Sequence, residues 1–252
     1  MPLSAITFDL WETIIIDGSD EPKRDAQGLR SKSEERRYLF WQALSRQLPI
    51  DKSIAYAAFD VHEAAFRKAW YGMSVTWDVS ERLEILLNGL GRDLPISEHN
   101  ELIEQFETME LSVKPDLIEG AGEAIAELAS RYDLCVISDT IYTPGKNLRL
   151  LLEHHGVAKY FKGFVFSDQV GRSKPHPDCF RSAAEQLGAH YSEMLHIGDR
   201  DAKDIAGAQY MGMKAILFTV ARDEGATKTT KADAVVDNYS DLVEVIDSIA
   251  QA

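Results

Sequence analysis

Polar side chains able to do chemistry stand just after several short apolar runs of this sequence. Carboxylates are the oxygen ligands that suit a hard divalent cation, and an aspartate can also act as a nucleophile. A lysine beside them offsets negative charge, and a hydroxyl donates a hydrogen bond to a developing anion. Each residue alone is more typical of a turn, a helix cap or a solvated surface. The residues are Asp9, Ser138, Asp139, Lys174, Asp199 and Asp204.

The apolar runs that precede these residues have the length and composition of buried strands. The later runs alternate with stretches of helical periodicity, which indicates a parallel sheet covered by helices on both faces. Ligands of such sheets bind at the carboxyl ends of the strands, so we expect the polar residues to meet at one rim. The predicted strands are 5–8, 134–137, 163–166, 194–197, 215–218 and, more weakly, 234–236. The predicted helices are near 121–131, 145–155, 178–187, 202–211 and 241–250.

The stretch between the first two strands differs, because its apolar residues have the spacing of helices and not of strands. Four leucines of the segment 83–90 repeat at the spacing of one helix face, and three further segments carry similar apolar faces. One strand therefore comes first, then a helical block, then the rest of the sheet. This order predicts an α/β core at residues 1–16 and 115–252, with an all-helical module at 17–114 inserted after the first strand.

Taken together and in this order, the motifs resemble those of the haloacid dehalogenase superfamily. That family has an Asp-x-Asp-x-Thr/Val loop, a Ser or Thr at a strand end, a Lys, and Gly-Asp followed after three or four residues by an acid. The resemblance covers the whole core and the position of the insert. It implies a Rossmann-like core, a helical cap over the site and, in most members, a Mg²⁺-dependent phosphatase. The matching residues are Asp9 to Thr13, Ser138, Lys174 within the segment GRSKPHP, and Gly198-Asp199-x4-Asp204.

The resemblance implies a role for each matching residue. Asp9 would attack phosphorus and give an aspartyl-phosphate that water hydrolyses. Asp9, Asp199 and Asp204, with the backbone carbonyl of Trp11, would hold Mg²⁺, which favours oxygen ligands. Catalysis would use Asp9 with Ser138 and Lys174. Substrate and phosphate would be bound by Trp11, Ser138, Asp139 and Lys174.

Trp11 departs from the family pattern, because phosphatases of the family usually carry a second Asp there that protonates the leaving oxygen. General acid–base help is worth about 10²–10⁴-fold in rate. A phosphatase at this site therefore needs an acid from elsewhere, such as Glu12, or a substrate with a good leaving group. Two alternatives stay open: a metal-independent 2-haloacid dehalogenase, which the intact acidic motif disfavours, and a binding or regulatory protein with a weakened site. A phosphomutase and a phosphonate hydrolase are less favoured.

Composition limits the classes of partner. The chain has 252 residues and a net charge of −14, which argues against nucleic acid or an anionic membrane as the main partner. Cys135 and Cys179 are too few for a disulfide framework and predict buried free thiols. The N-terminal segment does not resemble a signal peptide. We expect a cytoplasmic monomer or homodimer that encloses a small phosphorylated metabolite under its cap.

Further expectations concern the insert and the last loop. The polar residues 17–33 predict a mobile entry loop, and residues 221–233 predict a second one. Gly72 and Gly91 predict helix ends. We expect the cations of the entry loop and the helical block to be solvated, with contact to a substrate anion as the alternative. These cations are Arg24, Arg30, Lys32, Arg67, Lys68 and Arg82.

Overall fold

A six-stranded, all-parallel sheet forms the centre of the computed structural model, which describes residues 2–221 and 225–251. The strand order is β3-β2-β1-β4-β5-β6, so β1 lies in the middle with β2 on one side and β4 on the other. The strands are β1 Ala5–Phe8, β2 Asp133–Ser138, β3 Gly163–Phe166, β4 Met194–Gly198, β5 Lys214–Phe218 and β6 Ala234–Val236. Each predicted strand is confirmed, with bounds that differ by no more than one residue.

Both faces of the sheet are apolar, which explains why the strands read as continuous hydrophobic runs. Ile6 and Phe8 of β1 point to one face, where they join a cluster that includes Leu148 and Ile246. Ala5 of β1 points to the other face and joins a second cluster. Because side chains alternate along a strand, both faces need a covering layer.

Helices cover both faces, which confirms the predicted α/β class. α7, α8 and α12 pack on the face of Ile6 and Phe8, and α10 and α11 pack on the opposite face. The helices of this part are α7 Ala121–Ala129, α8 Gly145–His154, α9 Ser167–Val170, α10 Pro177–Leu187, α11 Ala206–Tyr210 and α12 Tyr239–Gln251. A π-helical turn at Asp201–Ile205 precedes α11, where the sequence predicts the first turn of an ordinary helix.

Six helices lie between β1 and α7, in the segment where the sequence predicts an all-helical module. They surround a separate apolar cluster that includes Phe40, Phe59, Leu83 and Phe106. Asp78 and Glu81 form a capping box that fixes the start of α4. The helices are α1 Glu21–Ala26, α2 Lys32–Gln47, α3 Lys52–Met73, α4 Val79–Leu90, α5 Ile96–Glu107 and α6 Met109–Ser112. The exact division of the chain at residues 16/17 and 114/115 stays a prediction.

The prediction of a mobile entry loop at 17–33 is wrong. This segment contains helix α1, and the side chains of Asp20, Arg24 and Lys32 are buried. Lys32 donates to Asp20 over 2.8 Å and lies 3.3 Å from Glu110. A buried lysine of this kind persists only when paired acids offset its desolvation, and acids 12 residues before it and 78 residues after it supply that charge.

Two expectations for the helical block are also wrong. Gly72 lies inside α3, which continues to Met73 and ends at the left-handed Ser74, whereas Gly91 does end α4. Arg82 is buried rather than solvated, with 2% of its surface exposed, because its guanidinium lies between the rings of Phe66 and Tyr142. An aromatic sandwich and an ion pair together replace the water that this group loses.

The remaining expectations concern the thiols, the last loop and membrane spans. Cys135 and Cys179 are buried free thiols, as predicted. Residues 222–224 of the predicted loop 221–233 lie outside the described residues, and Ala226–Lys228 forms a 3₁₀ turn. Among the residues that the structure describes, no helix combines the length and the apolar composition that crossing a membrane requires.

Candidate active site

The carboxyl ends of the two central strands, β1 and β4, carry the acidic residues that the sequence singles out. Asp9 follows β1 directly, and its N–H donates to the carbonyl of Ile197 in β4 over 2.8 Å. Asp199 follows β4, and the π-helical turn then brings Asp204 back beneath it. The strand order reverses between β1 and β4, which is where open α/β sheets bind their ligands.

Asp9, Asp199 and Asp204 form a compact carboxylate cluster. All three are buried, and one carboxylate oxygen of each lies within 4.8 Å of the others. Burial, followed by the charges of Asp9 and Asp204, raises the pKa of Asp199 to about 8. Burial also raises the pKa of Asp9. Three oxygen donors of this kind need positive charge nearby, and their chemistry fits a hard divalent cation such as Mg²⁺.

Lys174 supplies the nearest positive charge. Its ammonium donates to Oδ1 of Asp9 and to Oδ1 of Asp204, each over 2.6 Å, and it is 2% exposed. Burial alone lowers the pKa of Lys174, but Asp204 and Asp9 overcome that effect and raise it above its ordinary range. Burial alone raises the pKa of Asp204, whereas Lys174 and His196 bring it below its usual range. Lys174 is therefore a charged group fixed against the cluster.

His196 orients Asp204, a contact that the sequence motifs do not indicate. Its Nε2 lies 3.0 Å from Oδ1 of Asp204, and its Nδ1 lies 2.8 Å from the hydroxyl of Thr7. Burial lowers the pKa of His196, which favours a neutral ring that donates from Nε2 and accepts at Nδ1. A lone histidine in an otherwise apolar strand is the signal that could have identified this contact.

Gly198 allows Asp204 to approach the end of β4. A Cβ atom at position 198 would lie 2.3 Å from Cγ of Asp204, far inside any contact distance. The N–H of Arg200 donates to Oδ2 of Asp204 over 3.0 Å and fixes the second oxygen. The close approach of Asp204 therefore explains why a glycine precedes Asp199 in this motif.

Ser138 is the last residue of β2 and Asp139 follows it, and both are buried. The hydroxyl of Ser138 donates to the carbonyl of Asp139 over 3.1 Å. The carboxylate of Asp139 accepts from the backbone N–H of Lys174 over 2.9 Å and from the ammonium of Lys203 over 2.7 Å. Asp139 therefore holds two lysines in place, and its predicted role in substrate binding stays a prediction.

A cavity of about 230 Å³ lies over the cluster, between the sheet and the helical block. Trp11 is half-buried and lines it, next to Glu12, whose φ of 60° marks a sharp local turn. Helices α2 and α3 contribute side chains from the other side. The lining residues include Asp9, Trp11, Asp17, Lys32, Arg36, Glu63, Arg67, Trp70, Glu110, Asp139, Tyr142, Lys174, Asp199, Arg200, Lys203 and Asp204.

The end of α3 contacts the loops that carry the polar residues. The ring of Trp70 lies 3.3 Å from the ammonium of Lys203, and the hydroxyl of Tyr71 accepts from Arg200 over 3.1 Å. The N–H of Ser173 donates to the carbonyl of Ser74 over 3.0 Å. These contacts hold one side of the helical block against the sheet rim, and motif matching did not identify Lys203 or Arg200.

Comparisons with known proteins identify the family and the fold. A family model described as haloacid dehalogenase-like hydrolase matches residues 3–212. The chain is similar to a phosphoglycolate phosphatase of Yersinia pseudotuberculosis, with 27% identity over 202 residues that cover 78% of this chain and 84% of the relative. It is also similar to the pyrophosphatase PpaX of Oceanobacillus iheyensis, with 28% identity over 100 residues. That match covers 39% of this chain and 47% of the relative, less than half of its length.

Solved structures share the fold. A HAD phosphatase from Thermococcus onnurineus superposes with a TM-score of 0.65 at 23% identity, over 97% of this chain and 98% of that one. A 2-haloacid dehalogenase from Pseudomonas syringae superposes with a TM-score of 0.66 at 20% identity, over 98% and 99%. The fold alone does not separate the two activities. Because the family model spans most of the sequence and the fold agrees with it, the chain belongs to the haloacid dehalogenase-like hydrolase family.

Proposed function

We propose that this hydrolase is a Mg²⁺-dependent phosphatase that acts on a small phosphorylated metabolite through an aspartyl-phosphate at Asp9. The observation that carries the proposal is the carboxylate cluster of Asp9, Asp199 and Asp204, with the ammonium of Lys174 2.6 Å from Asp9. A nucleophilic aspartate must approach an anionic phosphoryl group, so the site needs several positive charges. The relatives named as phosphatases support the same activity.

The cluster residues would hold the metal ion. Asp9, Asp199 and Asp204 fit Mg²⁺ as oxygen donors, and we assign the backbone carbonyl of Trp11 to the same set. When bound, Mg²⁺ supplies positive charge that offsets the carboxylates and the phosphoryl oxygens. The ammonium of Lys174 would remain beside Asp9 and would also offset the negative charge of the carboxylates and the phosphoryl oxygens.

Two displacements complete the reaction. A carboxylate oxygen of Asp9 forms a bond to phosphorus as the bond from phosphorus to the leaving oxygen breaks. Water then attacks phosphorus, orthophosphate departs, and Asp9 regains its carboxylate. Ser138 would donate a hydrogen bond to a phosphoryl oxygen, and Lys174 would hold Asp9 in position through both steps.

The cavity favours substrates whose leaving group departs without a proton. Six of the seven carboxyl groups that line it contact a cationic side chain, and none of the seven stands at the position from which acids of the family protonate the leaving oxygen. The seventh, Asp17, is exposed. Because Trp11 occupies the position of the family's acid, we expect acyl phosphates, phosphoanhydrides and aryl phosphates to be better substrates than alkyl phosphates.

Phosphate release from a panel of these compounds tests the proposal. We expect release that requires Mg²⁺, stops with EDTA and falls by at least about 10³-fold in Asp9→Asn, because the amide is not a nucleophile. Asp25→Asn, at an exposed acid of α1, is the matched control and should leave the rate unchanged.

The dehalogenase alternative has a different signature. Chloride release from 2-haloacids that is insensitive to EDTA would replace the phosphatase proposal. An absence of both phosphate and chloride release across the panel would favour a binding or regulatory protein. A cytoplasmic location, a monomer or homodimer, and the absence of nucleic-acid and membrane partners stay predictions, which size-exclusion chromatography and cell fractionation would test.

A further inference from the structure

Six cationic side chains line the cavity, and five of them lie within 4 Å of an acid. Lys174 and Lys203 are bonded to acids of the sheet rim, and Lys32 and Arg36 contact Glu110. Arg200 lies 3.8 Å from Asp199. The charge of each of these groups is thus met by the protein itself before any substrate enters.

Arg67 is the sixth cation, and it differs from the others. It belongs to α3, lies one turn before Trp70 and lines the same cavity. Among residues 2–221 and 225–251, Arg67 makes no ion pair, hydrogen bond or ring contact. Arg67 is exposed and lines the space that a substrate would fill, where no acid of the described residues pairs with it.

The usual helical partner of Arg67 is engaged elsewhere. Glu63 lies four residues earlier on α3, which is the spacing at which acids and arginines pair on a helix. Here Glu63 instead accepts from the guanidinium of Arg82 and from the hydroxyl of Tyr142, the latter over 2.5 Å. The fold therefore engages the acid at helical pairing distance in sequence elsewhere and leaves the charge of Arg67 for a ligand.

We propose that Arg67 binds a second anionic group of the substrate, a carboxylate or a further phosphate, and so selects phosphorylated compounds with two separate negative charges. The proposal rests on the phosphatase function proposed above for the first phosphate. A guanidinium holds either anion through two parallel hydrogen bonds, so the shared chemistry is a planar or tetrahedral oxyanion. A ligand without that group would cover Arg67 and leave its charge uncompensated.

Matched aryl phosphates test this role, since their leaving groups need no proton. The compounds are para-carboxyphenyl phosphate, its neutral carbamoyl analogue, and para-phenylene bisphosphate. In Arg67→Gln we expect KM to rise about tenfold for the two compounds with a second anion, with kcat nearly unchanged. KM for the carbamoyl compound should stay within about twofold of the wild-type value. A larger effect on one of the two charged compounds would show which anion Arg67 prefers.

Two further variants control for general charge. Lys68 neighbours Arg67 and is exposed but does not line the cavity, so Lys68→Gln should leave all KM values unchanged. Arg67→Lys should recover part of the affinity for the charged compounds. An equal change in KM for charged and neutral compounds in Arg67→Gln, or no change at all, would overturn the proposal.

Direct binding separates this inference from the phosphatase function. Calorimetry in the presence of Mg²⁺ compares para-carboxyphenyl phosphate with inorganic phosphate as ligands. If the wild type turns over none of the compounds, the phosphatase proposal fails, but Arg67→Gln should still weaken only the carboxyphenyl ligand. Equal weakening of both ligands would instead refute the role of Arg67.

Discussion

Trp11 is the residue whose type most affects the chemistry. It stands two positions after Asp9, where phosphatases of the family usually have an acid. The residue is half-buried and lines the cavity. A tryptophan can exclude water from the site but cannot give a proton to a departing oxygen. The replacement of the acid by Trp11 should therefore restrict the leaving groups that the enzyme can release.

Restoring an acid at this position should broaden the range of leaving groups. In Trp11→Asp we expect hydrolysis of ethyl phosphate to rise about 10- to 100-fold relative to phenyl phosphate, because alkoxides need protonation and phenolates do not. The measurement is the ratio of kcat/KM for the two esters. Trp11→Asn creates similar space without an acid and should leave the ratio unchanged; a similar rise in both variants would contradict the argument.

Helix α3 is the element that contacts the sheet rim from the helical block. Its last turns place Trp70 and Tyr71 against Lys203 and Arg200, while its middle buries His62 beside Arg82. The same helix thus contributes a contact surface, a cavity cation and a buried titratable group.

The contact between Trp70 and Lys203 should assist substrate binding, because it holds the ammonium of Lys203 at the cavity. A cation–π contact of this kind is worth about 0.5–2 kcal/mol, so we expect Trp70→Ala to raise KM about fivefold, with a smaller effect on kcat. Steady-state kinetics with phenyl phosphate provide the test. Trp41 lies within the helical block and bonds to the carbonyl of Ile50, so Trp41→Ala is a control that should not raise KM. Equal KM values for the two variants would refute a binding role of the contact.

His62 should make the helical block sensitive to acid. Burial, with Arg82 nearby, lowers the pKa of His62 from 6.5 to about 4, and neither ring nitrogen has a hydrogen-bond partner among the described residues. The unfolded chain therefore takes up a proton between pH 6.5 and about 4 that the folded chain does not bind. The folded state therefore keeps its full stability with respect to His62 above pH 6.5, and it loses stability as the pH falls toward 4.

Urea unfolding at pH 7.5 and pH 5 measures this effect. Allowing for screening by water, we expect the free energy of unfolding to fall by about 1–2 kcal/mol more in the wild type than in His62→Gln. His190 is exposed, so His190→Gln should retain the pH dependence of the wild type. An identical dependence in His62→Gln would show that other groups cause it.

At the scale of the whole molecule, the buried carboxylate cluster should couple metal binding to folding. Asp9, Asp199 and Asp204 lie at the centre of the sheet rim, where two central strands and the π-helical turn meet. Their mutual repulsion opposes folding when no cation is bound, and a divalent cation bound only by the folded chain stabilises it by mass action.

Thermal unfolding with and without Mg²⁺ tests this coupling. At a concentration about 100 times Kd, Mg²⁺ should add about 2.7 kcal/mol and raise Tm by about 5–10 °C. Asp199→Asn should abolish that rise and, without Mg²⁺, unfold at a higher temperature than the wild type, because burial and two neighbouring acids disfavour the charged form of Asp199 and an amide has no charged form. A Mg²⁺-dependent rise of equal size in Asp199→Asn would exclude Asp199 as a ligand.

Local patterns determined the elements and the order in which they occur. Apolar runs, helical periodicity and the acids after strand ends are short-range features, so the sheet, the inserted helices and the rim that carries Asp9 and Asp199 follow from the sequence. The same patterns misjudged Lys32 and Arg82, because burial of a cation depends on which acids and rings reach it from distant segments.

Only the tertiary structure decided the contacts that give the site its specific properties. Lys174 joins Asp9 across 165 residues, and His196 reaches Asp204 through the fold of a π-helical turn. The unpaired charge of Arg67 likewise depends on Arg82 and Tyr142 taking its helical partner. Such contacts follow from how strands and helices pack, since pairing of distant charges depends on geometry that no local pattern encodes.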